Sequence, residues 1–394
     1  MMIDNEGSIP YNNLNRDEGR KEKSMKKTLT TWTRRVTLGA IITMNLALGA
    51  QAAEPPKVAA FEQPKVYDLK PNERILILGD STTHDGNTVG GYVRLVDQGI
   101  QEQAPERKAA IRANAGYGAR LVPGQPDKRQ TMGEWLKPVQ GHPNAPTTVM
   151  INLGINDSGG GEANLQTYEK WVRQYVEELR AAKLNVILCT PTVWNGHQTK
   201  PNAEVVRRVA TEMKCPLVDL YAAHAEACEN KKRVHRDTGH LNMTGEILSA
   251  STILKGLGLK AEWKKYQLRV SSRPNGWSTS VEGWCGAPLT GNTKCVVVEP
   301  ALSEGKPELE SPKGRFGFYT TLWIANWPTE QAAYAPGTKV TLKLDPASGR
   351  IFHHWGDFGD GLLPKDAPAT LTIIMDGHRG VDLSYVFPVD KKGK

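Results

Sequence analysis

The sequence predicts an α/β fold built on a parallel five-stranded sheet, followed by an all-β C-terminal module. Three observations point there. Short apolar, partly β-branched runs recur between residues 74 and 220. They alternate with segments whose apolar residues fall at three- and four-residue steps. Beyond about Lys260 the helical period disappears, and short β-type runs are divided by Gly, Pro and Asn. Parallel strands need crossovers, and helical crossovers cover a parallel sheet on both faces.

The strand candidates are Arg74–Leu78, Ile111–Asn114, Thr148–Leu153, Asn185–Cys189 and Leu217–Leu220. The clearest helix is Asn164 to Lys183, where Leu165, Tyr168, Val172, Tyr175, Val176 and Leu179 make one apolar stripe. Met243 to Leu257 reads as a second helix. Five strands of this kind suit a three-layer, flavodoxin-like arrangement over residues 71–260. In residues 265–394 the β-type runs are Leu268–Val270, Cys295–Val298, Lys339–Leu344 and Leu371–Met375. Both the composition shift and the lack of reactive constellations after Lys260 mark this part as a separately folding module.

Chemistry concentrates at the strand ends. Ile75-Leu76-Ile77-Leu78 runs into Gly79-Asp80-Ser81. The carboxyl edge of an open parallel sheet is where ligands bind, so Ser81 is a candidate nucleophile. Asp237-Thr238-Gly239-His240 places a carboxylate three residues before a histidine, within reach of Nδ1 if the segment is a turn. Taken alone, Asp237 is more often a turn or cap residue and His240 a surface histidine. Thr148–Leu153 is followed by Gly154-Ile155-Asn156-Asp157, where Asn156 could aim its amide at the same edge or simply make a turn. Ile111–Asn114 is followed by Ala115-Gly116-Tyr117-Gly118-Ala119, a close backbone approach to a ligand or a plain glycine turn.

Strand-Gly79-Asp80-Ser81, then Asn114-Ala115-Gly116, then Gly154-Ile155-Asn156-Asp157, then Asp237 through Asn242, in this order, resembles the SGNH (GDSL-type) hydrolase family. The resemblance covers roughly Arg74 to Leu257. It implies a serine nucleophile at Ser81, with Asp237 and His240 completing a triad. It also implies an oxyanion hole made by the Ser81 amide, an amide of the second block and the Asn156 side chain. The family places its glycine five residues after the asparagine, where this chain has Ala119 preceded by Gly118, so either amide can be the donor. No cofactor or metal is implied. Pro336 to Asp376 and the final Val386-Phe387 resemble a bacterial InlB-type β-repeat.

Residues 1–52 read as a leader. Met25-Lys26-Lys27 through Arg34-Arg35 is a basic segment, Val36–Gly49 is apolar but too short to span a bilayer, and Ala50-Gln51-Ala52 fits a cleavage site. Residues 1–24 are polar and unpatterned, and Met25 is the expected start of translation. Residues 53–70, with Pro55, Pro56 and Pro64, are an expected linker. The leader carries eight Lys/Arg and five Asp/Glu, so the rest of the 394-residue chain holds +5 of the formal +8. No basic cluster interleaved with aromatics stands out, which excludes a nucleic-acid reading. No later segment could cross a membrane.

An exported chain can hold disulfides, and Cys285 and Cys295 flank a turn-rich stretch that suits one. Cys189 reads as a buried small hydrophobe, while Cys215 and Cys228 are paired or free. Six of the ten tryptophans lie between Trp263 and Trp355, as sugar platforms or as core. His353-His354 would point to opposite faces of a strand and so not share an ion. The expectation is an exported, periplasmic or extracellular serine esterase acting on short-chain esters, including O-acetyl groups of polysaccharides. The alternatives are a lipase or arylesterase, and an adhesion protein with an inactive hydrolase domain.

Overall fold

The computed structural model describes residues 66–123, 136, 145–194, 196–274, 295–302, 309–310, 321–322, 332–356 and 368–386. The leader and the first part of the expected linker lie outside these. The first layers run β1 (Arg74–Gly79), α1 (Ser81–Gly86), α2 (Tyr92–Gln103), β2 (Ala110–Ala115), β3 (Thr148–Asn152), α3 (Gly161–Ala181), β4 (Asn185–Cys189), α4 (Lys200–Glu212), β5 (Leu217–Val218), α5 (Leu220–Glu229) and α6 (Met243–Gly256). The five strands form one parallel sheet in the order β2-β1-β3-β4-β5.

Alternation along β1 builds both halves of the core. Ile75 and Ile77 enter a cluster with Val93 and Leu95 of α2 and Ile253 and Leu254 of α6. Leu76 and Leu78 join Tyr168, Val172 and Val176 of α3 and Val206 of α4 on the other face. The expected three-layer arrangement is therefore present. The expected strand Leu217–Leu220 stops at Val218, because Asp219 caps α5 by accepting the Ala222 amide at 3.0 Å. The end of the expected linker is part of the core: Tyr67 and Leu69 are buried, and the Tyr67 hydroxyl lies 3.0 Å from Thr148 Oγ1.

The C-terminal strands are β6 (Leu268–Pro274), β7 (Val296–Glu299), β8 (Leu309–Glu310), β9 (Thr321–Leu322), β10 (Lys339–Leu344), β11 (Ile351–Gly356), β12 (Thr370–Ile374) and β13 (Arg379–Val386). They form the sheets β12-β10-β7, β11-β13-β6 and β8-β9. Side chains from the first two share one apolar cluster, including Val270, Val340, Leu342, Trp355 and Leu383. Trp355 is core here, with its indole N–H donating to Pro368 O at 3.0 Å. Trp277, Trp284, Trp323 and Trp327 lie outside the described residues. A register shift between Phe352 and His354 breaks the strand alternation, and the Nδ1 atoms of His353 and His354 come within 2.5 Å instead of facing apart.

The stretch 260–270 is stitched to α2 and α6. Trp263 donates to Leu95 O at 2.8 Å, Gln98 to Lys265 O at 2.9 Å, and the Gly90 amide to Gln267 Oε1 at 2.7 Å. Arg269 of β6 pairs with Glu246 of α6 at 2.9 Å, with both side chains out of solvent. The described residues from 66 to 386 belong to one compact unit. Among the described residues no helix is long and apolar enough to cross a membrane. Cys189, Cys215, Cys228 and Cys295 are free thiols. The expected bridge is thus not formed at Cys295, which is buried as a small apolar group among the C-terminal strands; Cys285 lies outside the described residues.

Candidate active site

Each residue of Gly79-Asp80-Ser81 has a separate job. A Cβ at Gly79 would sit 1.9 Å from Thr83 Oγ1, so only glycine lets α1 fold back onto the strand end. Asp80 caps α1, with Oδ1 accepting the Thr82 amide at 2.9 Å and the Thr82 hydroxyl at 2.8 Å. Burial pushes the Asp80 carboxyl up to about 6 against those two bonds. Ser81 is then the first residue of the helix, at the carboxyl edge of the central part of the sheet and 7% exposed.

The histidine arrives on a closed turn. His235 and Leu241 form an antiparallel bridge, and the Arg236 amide donates to His240 O at 2.9 Å. Asn242 ends the turn by capping α6 through the Gly245 amide at 2.9 Å. Inside the turn, Asp237 Oδ1 accepts the amides of Gly239 and His240 at 2.9 and 2.8 Å. Its Oδ2 lies 2.8 Å from His240 Nδ1, and His240 Nε2 lies 3.0 Å from Ser81 Oγ. With the Nδ1 proton donated to Asp237, Nε2 is left as the acceptor for the serine hydroxyl. The edge of His240 meets the Trp194 ring at 5.0 Å between centroids and 77°. A Cβ at Gly239 would come within 1.9 Å of that ring.

Burial raises the Asp237 carboxyl, but the bonds from the His240 ring and the Gly239 and His240 amides outweigh it and hold it at about 2. A carboxyl lowered from 3.8 stabilises the fold fully above that value, and the contribution disappears as pH falls towards 2. Asp237→Asn should therefore flatten the acid end of the stability curve, between pH 4 and 2, measured by circular dichroism at fixed denaturant; parallel curves for parent and variant would remove this assignment.

Because β1 lies between β2 and β3, their carboxyl ends flank Ser81. Gly79 is in register with Ala115 on one side and Asn152 on the other. The Gly116 amide donates to Gly79 O at 3.2 Å. Asn156 Nδ2 donates to Ala119 O at 2.9 Å, which joins the second and third blocks. The Ala119 amide donates to Gly116 O at 3.1 Å and closes a turn. Among the described residues nothing accepts the Gly118 amide, whose φ is +66°. Of the two amides left open by the sequence, that of Ala119 is engaged in this turn.

Asp157, Asp85, Arg236 and Trp194 carried no sequence signal as site residues. Asp157 holds the segment after the second block, accepting the Leu121 and Val122 amides at 2.9 and 3.1 Å. Asp85 of α1 accepts the Tyr117 hydroxyl at 2.8 Å and pairs with Arg236. Trp194 comes from the loop after β4. Among the described residues no group of three His, Cys, Asp or Glu side chains could hold a metal.

Residues 77–246 match the GDSL-like Lipase/Acylhydrolase family, so this span is a GDSL-like hydrolase domain and its chemistry is hydrolysis of ester bonds. No curated protein matches the chain. Three similar solved structures are an acetyl xylan esterase, AlAXEase, a putative GDSL-like lipase from Parabacteroides merdae, and a catalytic mutant of an acetylxylan esterase from Geobacillus stearothermophilus. The first is 20% identical, covers 47% of this chain and 99% of its own, and has a TM-score of 0.40. The second is 19% identical over 50% and 100%, with a TM-score of 0.40. The third is 21% identical over 49% and 98%, with a TM-score of 0.41.

Proposed function

We propose that this chain is an exported serine esterase whose GDSL-like domain removes short acyl groups, O-acetyl groups of polysaccharides in particular. The observation that carries the reading is the unbroken chain from Ser81 Oγ to His240 at 3.0 Å and from His240 to Asp237 at 2.8 Å. Ser81 Oγ attacks the ester carbonyl while His240 Nε2 takes its proton. The oxyanion is received by the Ser81 amide, the Gly118 amide and the Asn156 side chain. His240 returns the proton to the departing alcohol. It then deprotonates water, which attacks the acyl-enzyme and frees the acid and Ser81. The small exposure of Ser81 favours a short acyl group, and the basic-apolar leader favours export. In the same reading the C-terminal sheets are an InlB-type β-repeat, supported by β10, β11, β12 and β13 falling on the runs that carry the likeness.

Acid release from a panel of acetylated glycans, with p-nitrophenyl acetate as control, tests the substrate. Acetate released from glycans is the expected result; turnover confined to long-chain or aryl esters would make the enzyme a lipase or arylesterase instead. The oxyanion role has its own test. Asn156→Ala should lower kcat by about 10²–10³-fold with a smaller change in KM, since the donor matters once charge develops on the oxygen. A rise in KM alone would make Asn156 a substrate-binding group.

A further inference from the structure

We propose that Asp85 is a positioning residue that ties together the three segments carrying nucleophile, oxyanion donor and base. The proposal rests on the roles just given to Ser81, Gly118 and His240. Asp85 stands one turn beyond Ser81 on α1. Its Oδ1 accepts the hydroxyl of Tyr117 at 2.8 Å, and Tyr117 lies between Gly116 and Gly118 in the loop after β2. Its Oδ2 pairs with the guanidinium of Arg236, the residue before Asp237. Arg236 Nε lies 4.0 Å from Asp237 Oδ2. The Tyr117 hydroxyl also lies 2.7 Å from Nδ1 of His84, so the oxyanion loop is fastened to α1 at two adjacent residues.

The arrangement is stiff. The Asp85 and Arg236 side chains are only 5% and 8% exposed, so water scarcely screens the pair. Burial works most strongly against the Asp85 charge, but Arg236, the His84 hydrogen bond and Arg269 together outweigh it and hold the carboxyl well below the usual range. One cation therefore serves two carboxylates, Asp85 at the nucleophile helix and Asp237 at the base. Because the Arg236 amide also holds His240 O, a shift of Arg236 moves the imidazole. A displacement of about 1 Å in a catalytic group can cost about 10²-fold in rate.

The experiment is steady-state kinetics on p-nitrophenyl acetate with the full chain, together with melting temperature and fluorophosphonate labelling of Ser81. Asp85→Asn and Arg236→Gln should each lower kcat by about 30–100-fold and leave KM within about threefold. Tyr117→Phe, which leaves the ion pair intact, should lower kcat by about 5–10-fold, with the melting temperature lowered only by the one lost hydrogen bond. Asp85→Asn with Arg236→Gln should be no worse than the poorer single change, since both break one link. Should Asp85→Asn fail to fold, Tyr117→Phe decides. Folded Asp85→Asn or Tyr117→Phe protein with parental kcat, or losses confined to KM, would overturn the proposal. Failure of the catalytic reading looks different: the parent itself would not be labelled at Ser81.

Discussion

Ser81→Ala is expected to lower ester hydrolysis by on the order of 10⁴-fold or more, at an unchanged melting temperature. Among the described residues, Ser81 Oγ is the one hydroxyl bonded to His240 Nε2, at 3.0 Å. His240→Ala should cost about as much. The double variant should be little worse than either alone, because nucleophile and base act as one unit. Alanine fits the first turn of α1 without strain, and the Asp80 cap does not involve the Ser81 side chain. A Ser81→Ala protein that keeps a tenth of parental turnover would remove Ser81 from the mechanism.

The second large effect is on stability. Arg269→Met leaves the Glu246 carboxyl buried without its cation, which should cost about 3–5 kcal/mol in urea unfolding. Glu246 Oε2 also accepts the Tyr92 amide at 2.9 Å, and the Tyr92 hydroxyl lies 2.7 Å from Thr83 Oγ1 and accepts from Asn152 Nδ2 at 2.9 Å. The pair therefore links β6 to the helix that carries Ser81. Burial pushes the Glu246 carboxyl up to about 7 against the pull of Arg269. A carboxyl raised in the folded state binds a proton that the unfolded chain has lost. Its unfavourable contribution grows as pH rises above 4.5 through the folded value. Removing Arg269 should steepen that fall, and Glu246→Gln in the same chain should recover most of it. A loss below about 1 kcal/mol, or no recovery in the double variant, would contradict this account. The same contacts imply that ending the chain at residue 260 lowers turnover of soluble and polymeric esters alike, whereas a freely appended module would affect only the polymer.

The sheet was legible because its strands are short apolar runs with polar ends, and because the stripe of α3 is long enough to fix its period. Boundaries failed where a cap decided them, as at Asp219. Within the candidate site, the grouping of Ser81, Asp237 and His240 was suggested by local spacing: a strand end, and a carboxylate three residues from an imidazole. Which amide of the second block closes the turn to Gly116 was not, because it depends on how the loop after β2 folds back. Asp85, Tyr117 and Arg236 meet across separations that no local pattern encodes; Arg236 is 151 residues from Asp85. The 260–270 junction was hidden for the same reason, since its partners on α2 lie over 160 residues earlier. His353 and His354 were misread because a bulge adds a residue that strand alternation cannot anticipate.

Activation of Ser81 by His240 can be read from covalent labelling. The full chain is treated with a fluorophosphonate probe, digested, and mapped by mass spectrometry, with His240→Ala alongside. A single adduct is expected, on Ser81, formed at least on the order of 10²-fold faster in the parent than in His240→Ala. An adduct on another serine, or equal labelling rates in parent and variant, would contradict it.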